Sequence, residues 1–221
     1  MRNRSRKILM LIAVVVIAMV CFAFSASAAT QGYYTYEVID GEATITKVDT
    51  SISGEVVIPD ILGGYPVTAV GEYAFLNNEG ITKVTIPESV TIIGKAAFAQ
   101  CSQLKSVEIP DSVTTIKESV FMNCKNLESI VIPDSVTSSI GESAFRNCDN
   151  LHNVIIGNNV TGIDDSAFSQ SESLYSVTIG NKVEYIGEYA FNSCGFSGII
   201  IPNSVKSIGE AAFINAVTFL I

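Results

Sequence analysis

From Val107 to Ser129 the chain reads VEIPDSVTTIKESVFMNCKNLES. Its first three residues alternate, so Val107 and Ile109 face one side and Glu108 the other, as a short half-buried strand requires. Pro110 then removes a donor and ends the strand. Val113 and Ile116 supply a second apolar edge, and a segment closing on Val120 and Phe121 turns the chain back. The pattern repeats at once as IVIPDSVTSSIGESAFRNCDNLHN and VIIGNNVTGIDDSAFSQSESLYS. Aligned on phenylalanine, the copies place Phe75, Phe98, Phe121, Phe145, Phe168, Phe191 and Phe213 at spacings of 23, 23, 24, 23, 23 and 22 residues. A fixed period of this length marks a solenoid, in which no unit buries its apolar faces alone and stacked neighbours bury them together.

Each unit predicts one short parallel strand, a punctuating Pro87, Pro110, Pro133 or Pro202 (Gly157 and Gly180 take that place in two copies), a second apolar edge, and an irregular or helical connection through G-E-x-A-F. The glycines are expected to serve by backbone permissiveness. Two steps depart from the period. An extra residue sits at Ser138-Ser139, and CGFSGIII is one residue short between Cys194 and its strand, both loop-level changes. Ahead of the repeats, YEVIDGEATITKV holds Asp40-Gly41 between alternating runs and predicts a hairpin, a sensible cap for the first rung.

IPDSVTTI, IGESAF and the following N-C-x-x-L resemble the BspA-like leucine-rich-repeat family of bacterial cell-surface proteins, over about residues 52–216. Lys117 and Asp164 stand where that pattern has glycine, and Ala216 where it has cysteine. The resemblance implies a leucine-rich-repeat solenoid of about seven repeats, and adhesion to host or extracellular-matrix proteins or to other cells.

Composition agrees with a continuous core, since 48% of residues are hydrophobic and 16% charged. It also sets aside the first segment. MRNRSRK, the apolar run ILMLIAVVVIAMVCFAF and the small residues SASAA read as a secretory signal over residues 1–28, cut after Ala28, with retention as an N-terminal membrane anchor the alternative. The domain plan is then signal 1–28, β-hairpin cap 29–51 and solenoid 52–221. Removing the signal takes away four basic residues and no acidic one, moving formal charge from −9 to −13. Such a field repels nucleic acid and anionic lipid, and no basic cluster follows Lys7 to offset it. No apolar span with a basic stop follows the repeats, so the expectation is a protein secreted or held noncovalently at the surface. Its last residues, 217–221, are read as a partial closing strand with an open edge through which copies associate end to end, or as the stub of a longer array.

Candidate chemistry reduces to ladders. Cys101, Cys124, Cys148 and Cys194 recur three residues after the phenylalanine, a phase held elsewhere by Asn78 and Ser171. Export permits disulfides, and zinc is the other chemistry cysteine offers, but small side chains bonding the backbone of a turn fit the substitutions better. Glu72, Glu118, Glu142, Asp165, Glu188 and Glu210 recur three before it, with Lys95 the exception. A calcium ladder competes there with carboxylates serving the N–H groups of a helical turn, and the second reading is favoured. His152, the single histidine, lies in a loop with no recurring triad partner, and no phosphate loop or H-E-x-x-H motif occurs. The reading is a protein without catalytic residues, cofactor or metal.

What varies is the outward strand residue: Thr85, Glu108, Val131, Ile155, Thr178 and Ile200. Aliphatic groups facing water on adjacent strands predict a contact surface, or packing by a second copy. The expected function is therefore an exported, noncatalytic module that binds protein, with a self-assembling surface component and a carbohydrate-binding module as alternatives. The last is weakened because few aromatics recur at one outward phase.

Overall fold

A computed structural model of the chain describes residues 28–216. The apolar alternation becomes strand almost wherever it occurs. β1 (Ala29–Gln31), β2 (Tyr34–Ile39) and β3 (Glu42–Val48) run antiparallel in sequence, with Asp40 and Gly41 at φ 52° and 83° between β2 and β3. β4 (Gly54–Val57) is followed by a second hairpin, β5 (Ile61–Leu62) with β6 (Tyr65–Val70), turning through Gly63 and Gly64. The repeats then give β7 (Ile81–Thr85), β8 (Ile92–Ile93), β9 (Ser106–Glu108), β10 (Thr115–Ile116), β11 (Ser129–Ile132), β12 (Asn153–Ile156), β13 (Gly162–Ile163), β14 (Ser176–Thr178), β15 (Tyr185–Ile186) and β16 (Ser207–Ile208).

Two parallel ladders arise because each unit carries two strand-like runs. Along the first, β4, β7 and β9 form one sheet and β11, β12 and β14 a second, with β9 beside β11 but not paired with it among the described residues. The second runs through β6, β8 and β10, crosses Ile140 by single bridges to Ile116 and Ile163, and continues through β13, β15 and β16. The narrowing to Ile140 is where the extra serine is absorbed; Ser139 turns its hydroxyl to the Asp164 carboxylate at 3.0 Å. β3 pairs parallel with β6, so the leading hairpin continues the second ladder and shares its core.

The repeat phenylalanines form one column. Neighbouring rings from Phe75 to Phe213 stack with centroids 4.7 to 5.4 Å apart. Each ring adds its burial and about 0.5–1.5 kcal/mol of ring–ring contact. Val90, Val113, Val136, Val160 and Val183 are fully buried beside them.

The connections are not helical. Among the described residues no helix occurs, and the residues two before and two after each phenylalanine take positive φ, from Tyr73 at 59° and Asn77 at 60° to Ala211 at 52° and Asn215 at 56°. That sign cannot continue a right-handed helix. Instead the N–H groups alternate in their partners. Leu76 bonds Tyr73 within its own turn at 3.0 Å, whereas Phe75 donates to Ala97 of the next rung at 2.7 Å and Asn77 to Ala99 at 3.1 Å. Half of the backbone donors thus extend the stack, which a helix would have consumed internally.

The glycines at the strand ends also act differently from expectation. Gly157 and Gly180 are not at positive φ; a Cβ there would collide with the carbonyl oxygens of Pro133 and Gly157 on the preceding rung. Room between rungs, rather than a left-handed turn, is what the missing side chain supplies.

Candidate binding face

The two residue ladders that invited chemistry are structural. Cys101, Cys124, Cys148 and Cys194 are unbridged and buried, and each thiol donates to the carbonyl of a phenylalanine one rung back, at 3.1 to 3.2 Å. Ser171 does the same toward Phe145 at 2.9 Å, which explains its place in the series. Burial pushes the Cys101 and Cys194 thiols up to about 12, opposed slightly by backbone N–H groups, and moves Cys124 and Cys148 in the same direction. Neutral thiols of this kind are poor nucleophiles and poor metal ligands. Asn78, at the same phase in the first repeat, is fully buried with neither amide atom hydrogen-bonded.

The carboxylates before the phenylalanine are exposed, and two of them, Glu118 and Asp165, tie neighbouring rungs together instead of capping helices. Asp165 accepts the backbone N–H of Glu188 at 2.7 Å, and Glu118 pairs with Lys95 at 2.6 Å, which lowers the glutamate's pKa through the hydrogen bond and the charge. Among the described residues no group of three or more His, Cys, Asp or Glu is arranged to hold a metal. His152 is half-buried, edge-on to Tyr175 with centroids 5.8 Å apart.

The variable outward positions do come together. Thr85 pairs with Glu108 in register, and Val131 with Ile155 and Ile155 with Thr178. Ile200 follows at the same phase. Val131 is 56% exposed, Ile155 40% and Ile200 87%. The paired strands set Val131, Ile155 and Thr178 along the axis at roughly 4.8 Å per rung. Glu108 is held by Lys83 at 2.6 Å and by the Thr85 hydroxyl at 3.4 Å, and the lysine hydrogen bond keeps its carboxyl below the ordinary range.

Sequence reasoning missed one member of this column. Val57, in register with Thr85 and 72% exposed, begins it. The signal was present in EVVIPD, where Val56 and Ile58 are buried and Val57 faces out, but the longer connection through the Gly63-Gly64 hairpin obscured the phase.

Two concavities open on this face. One of about 330 Å³ lies between Thr85 and Glu108 and is bordered by Glu88 and Asp111. The other, about 340 Å³, lies between β14 and Gly198–Pro202 and is lined by Tyr175, Ile179, Ile199 and Ile200. It exists because the shortened loop brings Phe196, fully buried and edge-on to Phe191, into the interior in place of the repeat leucine. Among the described residues the Ile199–Ile201 run consequently makes no ladder with β14. A partly apolar recess flanked by exposed aliphatics is suited to receiving side chains, not to reacting with them.

Comparison with known proteins supports the same class. The model of the BspA type leucine rich repeat region matches in six copies over residues 68–196 and 138–219. A leucine rich cell surface protein of Faecalibacterium prausnitzii is similar at 34% identity and TM-score 0.74 over 88% of this chain, which spans about half, 54%, of that protein's solved chain. The leucine rich repeat protein of T. pallidum is similar at 25% identity and TM-score 0.63, with 76% of this chain and 90% of that one covered. A leucine-rich repeat protein of Bacteroides capillosus is similar at 37% identity and TM-score 0.52, with 59% and 98% covered. No match is found among curated proteins. With the family model spanning most of the stacked rungs described above, the chain belongs to the BspA type leucine rich repeat family.

Proposed function

We propose that this chain is an exported, noncatalytic protein-binding module that uses the outward strand column, Val57 to Ile200, to hold a protein ligand at the cell surface. The observation that carries the reading is the pair Val131 and Ile155, adjacent in register on a paired sheet and both open to water. A stable fold gains nothing from aliphatic groups in that position, whereas a docked partner would remove them from solvent. A place at the cell surface is supported by the family and by the F. prausnitzii relative, a leucine rich cell surface protein, and a host or matrix protein or another cell is the ligand we assign to a module in that place. Among the described residues no helix is long and apolar enough to cross a membrane. Residues 1–27 and 217–221 lie outside the described residues, so export by a signal cut near Ala28 and end-to-end association through 217–221 stand as parts of this proposal.

A binding screen of the chain beginning at Ala29 against matrix proteins and glycans, with solution mass measured in parallel, tests it. Saturable binding to a protein is expected. Polymerisation with concentration and no protein bound would favour a self-assembling surface component, and glycan binding alone a carbohydrate module. Mass spectrometry of the exported protein checks the cut, and intact Met1–Phe24 in the membrane fraction would establish an anchor instead. Deleting 217–221 should lower any concentration-dependent mass if that segment joins copies.

A further inference from the structure

The strand face is divided by charge. At the position two residues beyond each strand's last inward aliphatic, the seven rungs carry Asp60, Glu88, Asp111 and Asp134, then Asn158, Asn181 and Asn203. All seven are exposed. The phase is identical, so the change from four carboxylates to three amides is a step in charge along one edge of one surface. The concavities fall on opposite sides of the step. Glu88 and Asp111 border the first and make no ion pair among the described residues, while Glu108 within it is already neutralised by Lys83. The second is lined by Tyr175, Ile179, Ile199, Ile200 and Pro202 among uncharged residues only. Val131 and Ile155 bridge the interval between them.

We infer that this face binds a protein element of defined polarity, with lysine or arginine side chains at the end that meets Glu88 and Asp111, and aliphatic or aromatic side chains at the end that meets Ile200. The inference rests on the proposed strand-face reading and adds the chemistry and direction of the ligand. Three rung steps separate Glu108 from Thr178, which places the two ends about 15 Å apart at about 4.8 Å per rung. The acidic end steers and orients, because exposed charges act mainly on encounter and register; the apolar end and the Val131–Ile155 bridge supply the buried area. The step also discriminates. A ligand docked in the reverse direction sets its basic end against an apolar recess and leaves the carboxylates unmatched, and an acidic ligand is repelled at the carboxylate end.

The probe is a synthetic twelve-residue peptide with two lysines at one end and Leu-Ile-Phe at the other, its binding to the full chain read by fluorescence anisotropy. Two relatives accompany it, one with glutamate for lysine and one with serine for the apolar end. The lysine peptide should bind, weaken severalfold between 50 and 300 mM salt, and lose about tenfold on conversion to glutamate. In Glu88→Gln/Asp111→Asn the lysine and glutamate peptides should bind alike, whereas Ile200→Ser should weaken the lysine peptide and spare its salt dependence. Equal binding of the lysine and glutamate peptides to the native protein overturns the inference, as does an unchanged lysine preference in Glu88→Gln/Asp111→Asn, or no binding at millimolar peptide. If the peptides bind through an apolar contact that Val131→Ser/Ile155→Ser abolishes while charge has no effect, the polarity fails and the strand-face reading stands. If that pair of substitutions has no effect on a peptide that binds, the strand-face reading fails. Retention of the thermal midpoint in every variant shows that the fold is intact.

Discussion

A single phenylalanine in this chain belongs to two rungs at once. Phe145 is fully buried between Phe121 and Phe168, with ring centroids 5.3 and 5.1 Å away. Phe145→Ala should therefore cost about 3–5 kcal/mol in urea unfolding, while Thr178→Ala on the exposed column stays within about 0.5 kcal/mol; equal midpoints would contradict the inward assignment. The cysteine ladder makes a pH prediction. With thiol pKa values raised from 9.0 to about 12 at Cys101 and Cys194, the neutral form belongs to the folded state, so their contribution is complete below pH 9 and is lost as pH rises toward 12. The thermal midpoint should fall across that window, and fall less in a variant with all four buried cysteines changed to serine, as Ser171 already is; a matching fall in both would remove thiol burial as the cause. Inward and outward identity was legible at this scale because period-two alternation encodes it directly. Asn78 was not fully legible: its phase marks a buried turn residue, but only the packed first rung leaves its amide without partners.

Strands announced themselves by alternation and punctuation, and the Asp40-Gly41 hairpin by its turn residues. The connections did not. G-E-x-A-F contains good helix formers and an acidic opening residue, so local preference points to a helical turn, yet the chain adopts positive φ on both sides of the phenylalanine. The gain is tertiary: alternate N–H groups become available to the next rung, and a pattern read one repeat at a time cannot show that bond. The far-UV circular dichroism of the folded chain should accordingly lack the paired minima of helix. A more local check uses Asn147, at φ 56° and donating its side-chain amide to Asn123 at 2.9 Å. Asn147→Val should destabilise by about 1–2 kcal/mol or more, because a β-branched residue resists that backbone region, and Asn147→Gly by much less. Comparable losses would indicate that the side-chain bond, and not the backbone, dominates. The missed hairpin at Gly63-Gly64 has a simpler origin. It is an insertion peculiar to the first unit, where Tyr36 packs so closely that a Cβ on Gly63 would collide with its hydroxyl.

As a whole the molecule is a stack whose core repeats and whose outward strand face does not. Repetition made the core legible, since seven copies of one pattern mark the recurring inward positions. It made the face visible only as the residue free to vary, and the face's two recesses depend on details that no repeat consensus carries: the carboxylates after four strands, and the residue missing before Ile199 that moves Phe196 inward. Among the described residues the ion pairs between successive rungs, Lys83–Glu108, Lys95–Glu118, Lys125–Asp149 and Lys206–Glu184, lie at the surface and should contribute little, so moderate salt should shift the thermal midpoint only slightly. Function is thus expected to separate from stability in this protein. The most direct test is the affinity of Val131→Ser/Ile155→Ser for a protein ligand found by the matrix-protein screen, measured by calorimetry beside the thermal midpoint. The account predicts at least a tenfold loss of affinity with the midpoint nearly unchanged; undiminished affinity in a folded variant would contradict it.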